Sequence, residues 1–108
     1  MSIPFSDFKK LELKIGTIRS AERIEGSEKL LKLSVDVGSE TRQIIAGIGK
    51  AHVPETLIGT QCTFIVNLEP RMLMGLESQG MLLAASDADG NPVLLRPERE
   101  VTPGTPIH

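Results

Sequence analysis

Short apolar segments with a two-residue period, divided by Gly-, Pro- and Asp-containing turns, predict an all-β fold closed into a small barrel. The firmest segment is Leu31, Leu33, Val35 and Val37 alternating with Lys32, Ser34 and Asp36, as in a strand with one buried face. A second observation is the stretch from Gly49 to Gly59, where Pro54 opens a single helical turn through Glu55, Thr56 and Leu57 before Gly59 ends it. The third is residues 67 to 85, where Pro70 and Gly75 force a turn and Ser78-Gln79-Gly80 precede a new apolar run, as expected of a binding edge on a barrel.

Taken in order, Ser6 is expected to cap a short helix over Asp7 to Glu12 that places Phe8 and Leu11 on one face. Lys14 to Ile24 is the first strand, with Gly16 marking a bulge, and Glu25-Gly26-Ser27-Glu28 turns the chain into the second, Leu31 to Val37. Gly38-Ser39-Glu40 closes that strand. Arg42 to Ile48 is the third, Gln61 to Leu68 the fourth and Met81 to Ala85 the fifth, with Val93 to Leu95 as a short added edge. Arg96-Pro97 to Pro106 carries three prolines and Gly104, so this C-terminal extension should run irregularly over the surface. Five strands with one helix before the fourth is the order of an OB-fold, a partly open Greek-key barrel.

The 108 residues, 40% of them hydrophobic, fit one domain spanning 1–108, which should bury roughly 65% of the surface its unfolded chain exposes. No apolar run approaches the roughly 20 residues of a membrane span, and Met1-Ser2-Ile3-Pro4 lacks signal-peptide order, so no membrane role and a cytoplasmic location are expected. The Met1-Ser2 start favours a complete gene product over an excised domain. Cys62 is the only cysteine, which forbids an intramolecular disulfide and marks a small core residue.

A net charge of -2 argues against a strongly electrostatic nucleic-acid binder. The charge is uneven, however, with nine basic and seven acidic side chains in residues 1 to 50 against three and seven afterwards. Any anion-binding face is therefore modest and draws on Lys29, Lys32, Arg42, Lys50 and Arg71. Phe5, Phe8 and Phe64 are the only aromatics, too few to stack successive bases.

Several lookalike motifs fail on chemistry. Asp87, Asp89, Asn91 and Glu98 match ligand positions of a calcium loop, but Pro92 occupies the place that needs Gly, so a hairpin turn is the better reading. Gly47-Ile48-Gly49-Lys50 lacks the first Gly and the final Ser or Thr of a phosphate loop. His52 and His108 have no ligand or triad spacing, so an exposed loop histidine and a frayed terminal one are expected, and no Gly-x-Ser-x-Gly elbow is present. No metal, no cofactor and no catalysis are expected. Met72, Leu73, Met74 and Leu76 either plug one end of the barrel or face a partner.

With these residues in place, the chain resembles the tRNA-binding domain found at the C-terminus of many methionyl-tRNA synthetases and as free-standing small proteins. The likeness runs from about Asp7 to Pro106. It is carried by Asp7-Phe8-Lys9-Lys10, Leu13 to Ile18, Glu28-Lys29-Leu30, Val35-Asp36-Val37-Gly38, Ile45-Ala46-Gly47-Ile48, Asn67-Leu68 with Pro70-Arg71, and Leu73-Met74-Gly75 followed by Glu77 to Leu83. A secretion-chaperone subgroup shares the fold and much of this pattern.

The resemblance implies a non-catalytic OB-fold homodimer that holds tRNA at its elbow by shape, with tRNA and a methionyl-tRNA synthetase as partners. It assigns binding to Lys29, Arg42, Asn67, Arg71, Ser78, Gln79, Gly80 and Met81, with Ser78 and Gln79 as neutral donors and Gly80 allowing close backbone approach, and Lys32 joins them from the basic face. Glu69, Met72 and Ser34 stand where relatives often carry Lys, so weak binding, strengthened by dimerisation or tethering, is expected. The alternative is a peptide-binding homodimer of the secretion-chaperone kind, using the Met72 to Leu76 patch and open strand edges.

Overall fold

The computed structural model describes residues 1–108. In chain order the elements are α1 (Phe5–Phe8), β1 (Leu13–Arg23), β2 (Leu31–Asp36), β3 (Thr41–Ala46), α2 (Pro54–Leu57), β4 (Gln61–Ile65), β5 (Arg71–Leu73), β6 (Leu76–Ser78), β7 (Met81–Leu82), β8 (Ala84–Ser86), β9 (Pro92–Leu94) and β10 (Pro106–Ile107). The long strand β1 organises them, because its 11 residues serve two partners. Its first half pairs antiparallel with β4, Leu13 opposite Ile65 and Thr17 opposite Gln61, while its second half pairs with β2 from Thr17 opposite Asp36 to Arg23 opposite Leu31. The path β3-β2-β1-β4-β7 then wraps into a barrel.

The alternation read in Leu31 to Val37 holds: Leu31, Leu33, Val35 and Val37 are buried, and Lys32, Ser34 and Asp36 face outward. With Ile18, Ile44, Leu57, Cys62 and Phe64 they form one contiguous core. Cys62 is wholly inside, and burial pushes its thiol pKa up, so it is a packed apolar group and not a nucleophile. The single turn α2 begins on Pro54 and buries Leu57 under the barrel. The chain after α2 is fastened to β1 by Gly59 N–H donating to Ile18 C=O at 2.7 Å and Ile18 N–H to Thr60 C=O at 2.9 Å. No helix is long and apolar enough to cross a membrane.

Five expectations are corrected. The bulge in β1 falls between Ile18 and Ser20, not at Gly16. Gly16 is required by packing instead, since a Cβ there would stand 2.5 Å from Val35 Cγ1 and 2.9 Å from Phe64 Cδ2. The N-terminal helix spans Phe5–Phe8, starts on Pro4 without a side-chain cap, and buries none of its residues. The fourth strand stops at Ile65, and the segment read as a turn contains a two-stranded hairpin, β5 with β6. The fifth strand divides at Leu83: β7 stays on β4, whereas β8 leaves to pair with β9 in a separate ribbon.

The tip of that ribbon is the hairpin turn read in place of a calcium loop. Asp87 accepts the Asp89 and Asn91 amides, each at 2.9 Å, and these bonds, Asn91 first, hold its carboxyl below the ordinary 3.8. The C-terminal extension is irregular along much of its length yet ends in β10, which pairs Leu13 with Ile107. Buried Gln61 ties it down, donating to Val101 C=O at 2.6 Å and accepting Val101 N–H at 3.0 Å. His52 is half-buried, its Nε2 3.1 Å from Pro92 O, not free in solvent.

Replacing Gly16 by Ala is expected to lower stability by about 1–3 kcal/mol, since the Cβ must push two core side chains apart. The reading is a reduced urea midpoint with an unchanged slope. An unmoved midpoint would show that Gly16 is dispensable.

Candidate functional site

The barrel is closed largely by side chains. β3 has β2 on one edge, and on the other it meets the segment from Ser78 to Gly80 with few ladder bonds. Gln79 N–H donates to Gln43 C=O at 2.8 Å, and the return bond from Gln43 N–H goes to Gln79 Oε1 at 3.1 Å. Ile45 N–H donates to Ser78 Oγ at 3.0 Å, while the same hydroxyl donates to Gly80 C=O at 3.0 Å. Two side-chain oxygens thus replace the carbonyls a neighbouring strand would supply. The backbones come so close that a Cβ on Gly80 would lie 2.9 Å from Ile65 O and 3.1 Å from Ile44 Cδ1.

Three residues expected to touch a ligand are engaged in hydrogen bonds within the protein, two at this seam and one at the end of β4. Ser78 is only 5% exposed and both its hydrogen-bonding functions are engaged inside, so it is withdrawn as a ligand donor. Asn67 donates from Nδ2 to Lys10 C=O at 2.6 Å and accepts Glu12 N–H at 2.8 Å, fastening the N-terminal segment to the end of β4. Arg42 hydrogen-bonds the carbonyls of Val66 and Gln79 through one guanidinium nitrogen and binds Glu40 at 2.6 Å through the others. Nη1 thus works across the seam, while Nε and Nη2 are held by Glu40 on Arg42's own side. The sequence hides these roles because a partner of each residue, Ile45 for Ser78, Lys10 and Glu12 for Asn67, Val66 and Gln79 for Arg42, lies far along the chain.

Beside the seam the surface carries two adjoining depressions. The first is a polar trough over the outer face of the sheet, lined by Ser20, Lys32, Ser34, Thr41, Gln43 and Gln79. Lys32 is there in an ion pair with Glu22 at 2.7 Å. The second is a groove of about 440 Å³ between the β1–β2 loop and the β5–β6 hairpin, which brings Lys29, Arg71, Gly80 and Met81 together. Its floor includes buried Ile45, Ala46, Ile48 and Leu82. Of the nine expected site residues, eight line one depression or the other, and Asn67 lines neither.

The hairpin that walls the groove follows from its turn. Met74 and Gly75 both take positive φ, 48° and 80°, which gives the two-residue reversal whose twist suits a hairpin. Pairing of Arg71 with Ser78 and of Leu73 with Leu76 puts Arg71, Leu73, Leu76 and Ser78 on one face, and Met72 with Glu77 on the other. Leu73 and Leu76 are accordingly half-buried, whereas Met72 and Met74 are exposed. The apolar cluster thus splits, with its leucines turned partly inward and its methionines toward solvent. The signal for a hairpin was Leu-Met-Gly-Leu, but strands of three residues give alternation too short to read.

Electrostatically, Lys29 and Arg71 stand apart, since neither makes an ion pair, whereas Arg19, Lys32 and Arg42 all do. The stem of Lys29 lies across Gly47, with Cε 3.0 Å from where a Cβ would be, so its ammonium is carried on the groove's lip. No cluster of three or more His, Cys, Asp or Glu side chains is arranged to hold a metal. The site therefore offers shape, neutral donors and two cations without ion-pair partners, with one carboxylate, Glu69, on the same groove.

A family model described as "Putative tRNA binding domain" matches residues 13–106. A methionine–tRNA ligase of Methanococcoides burtonii is 57% identical over 107 residues, covering 98% of this chain and 16% of that ligase. Another, from Methanothrix thermoacetophila, is 55% identical over 105 residues, so the chain spans only 15–16% of the length of these curated relatives. Among solved structures, a MetRS related protein from Pyrococcus horikoshii has a TM-score of 0.94 at 39% identity, covering 100% of this chain and 99% of that one. The chaperone CsaA of Bacillus anthracis has a TM-score of 0.92 at 35% identity, covering 100% of both.

Ser78→Ala is expected to leave the Ile45 amide without a partner and to cost about 1–3 kcal/mol, read as a lowered Tm. Ligand affinity per folded molecule should stay unchanged. A large affinity loss at full stability would restore Ser78 as a direct contact.

Proposed function

We propose that this chain, which belongs to the tRNA-binding domain family matched over residues 13–106, grips folded tRNA by its contour without catalysing a reaction. The observation that carries this reading is the pair of unneutralised cations, Lys29 and Arg71, beside a trough of uncharged donors on a protein of net charge -2. Folded RNA presents phosphates and 2'-hydroxyls in a fixed arrangement, which neutral donors and a few cations match without reading bases in pairs. Gln43 and Gln79 at the trough, with Lys29, Arg71 and the open backbone near Gly80 at the groove, are the proposed contacts. Lys32, paired with Glu22, contributes only if that exposed pair opens.

Few phosphate contacts mean modest intrinsic affinity. We therefore read the chain as a module acting attached to, or beside, a methionine–tRNA ligase, where tethering raises the effective concentration of tRNA. Assembly into a homodimer would double the contacts by symmetry. The exposed Ile3, Phe5 and Phe8 at the N-terminus, with Val93 on β9 and Leu95 just after it, are apolar surface such an assembly would cover. A second reading, a peptide-holding chaperone, draws on exposed Met72 and Met74 at the hairpin and on the likeness to CsaA.

Lys29→Glu and Arg71→Glu should each weaken tRNA binding about tenfold at unchanged Tm. The wild-type log affinity should fall against log salt with a slope of about -2 for each protomer engaged, the mark of two phosphate contacts per chain. No complex at low salt would remove the RNA reading. Arg42 is a poor probe, because its loss frees two carbonyls at the seam.

Sedimentation at micromolar concentration is expected to give a species of twice the 11.7 kDa chain mass. A solution containing only the 11.7 kDa species would rule the dimer out.

A further inference from the structure

We infer that the groove between the β1–β2 loop and the β5–β6 hairpin captures one unstacked nucleobase, while Lys29 and Arg71 hold the phosphates on either side of it. The inference rests on the tRNA-binding reading and adds a specific element to it. Phosphate alone has no use for an aliphatic floor, and an apolar side chain alone has no use for two unpaired cations on the lip. A nucleotide is the ligand that carries both a flat apolar face and an anion. About 440 Å³ lies within the range of pockets that enclose a small organic group.

Three features favour a base over a length of peptide. An extended peptide bound by strand addition needs a free strand edge, but the β3 edge bordering the groove already has its Gln43 and Ile45 amides bonded to Gln79 and Ser78. The groove is bridged on one side, because Met74 Cε comes within 3.6 Å of where a Cβ on Gly26 would stand, so the hairpin tip reaches the opposite loop. A closed side suits a compact group inserted singly and obstructs a chain passing through. Third, Met81 on the lip and Met74 on the bridge offer polarisable thioethers, which contact aromatic rings favourably where no aromatic side chain is available to stack.

The groove and the trough then divide the labour. The trough, whose own cations are paired with Glu22 and Glu40, follows ribose and phosphate through neutral donors. The groove takes the base that the RNA's fold leaves unstacked. An RNA with an extruded base should be preferred to a smooth duplex of equal charge, although the number of phosphate contacts is the same.

The test uses three RNA hairpins with one common stem: one with a single extruded adenosine, one with an abasic residue in its place, and one fully paired. Their dissociation constants for the protein are measured by fluorescence anisotropy at fixed low salt, with an unfractionated tRNA mixture as reference. The adenosine hairpin is expected to bind about tenfold more tightly than the abasic one, and Met81→Asp, a change at a half-exposed lip position, should erase that difference. Equal affinities for adenosine and abasic hairpins, with tRNA still bound, would overturn the base pocket and leave the tRNA reading standing. Failure of all RNAs to bind would overturn both. An unfolded peptide that occupies the groove and is released by Met81→Asp, with the adenosine and abasic hairpins indistinguishable, would assign the groove to protein. Because the hairpins are compared on the unmodified chain, the result does not depend on the variant folding.

Discussion

The seam between β3 and the Ser78–Gly80 segment holds the architecture and the surface together. Closure of the five-stranded barrel brings the Gln43 and Ile45 amides next to a stretch of chain that makes no regular ladder there. An unpaired buried amide costs about 1–3 kcal/mol. Ser78 Oγ and Gln79 Oε1 meet that demand, and Gly80 admits the backbone approach that their bonds require. Since β6 ends on Ser78 and β7 begins on Met81, the same seam aims the β5–β6 hairpin across the sheet. Without it the groove would have no second wall.

The surface charge follows a comparable economy. A near-neutral protein has little long-range attraction for a polyanion, so the placement of its few cations outweighs their number. Arg19, Lys32 and Arg42 are neutralised by Asp36, Glu22 and Glu40, and the Gly38 amide followed by Arg19 holds the Asp36 carboxyl below its ordinary value. Arg42 further acts as a clip across the seam through two carbonyls. Lys29 and Arg71 remain unpaired on the lip of the one groove with an aliphatic floor. Recognition by contour with a small electrostatic share is what such a surface supports.

The seam residues show why a motif can be legible and its role misread. Ser78, Gln79 and Gly80 stand together in the sequence as small polar groups on a turn, and that pattern is common to a ligand site and to a structural splice. Asn67 is similar: an exposed amide beside a turn reads as a contact, yet both its functions bind backbone 55 and 57 residues away. Gly16 has the opposite history, appearing to relax a strand while in fact making room for Val35 and Phe64. In each case the deciding partner is remote in sequence.

What the amino-acid order determined unaided was every feature set by local periodicity and turn chemistry. The alternation of β2, the Pro54 helical turn and the Asp87 hairpin turn all depend on neighbours within a few residues, where side-chain direction repeats with a fixed period. Tertiary structure alone decided the ends of β4, the split between β7 and β8, the β5–β6 hairpin and the inward turn of Ser78. Those outcomes depend on which backbone groups lack a partner after the barrel has wrapped, and that accounting is settled only when residues dozens of positions apart are brought within hydrogen-bonding distance.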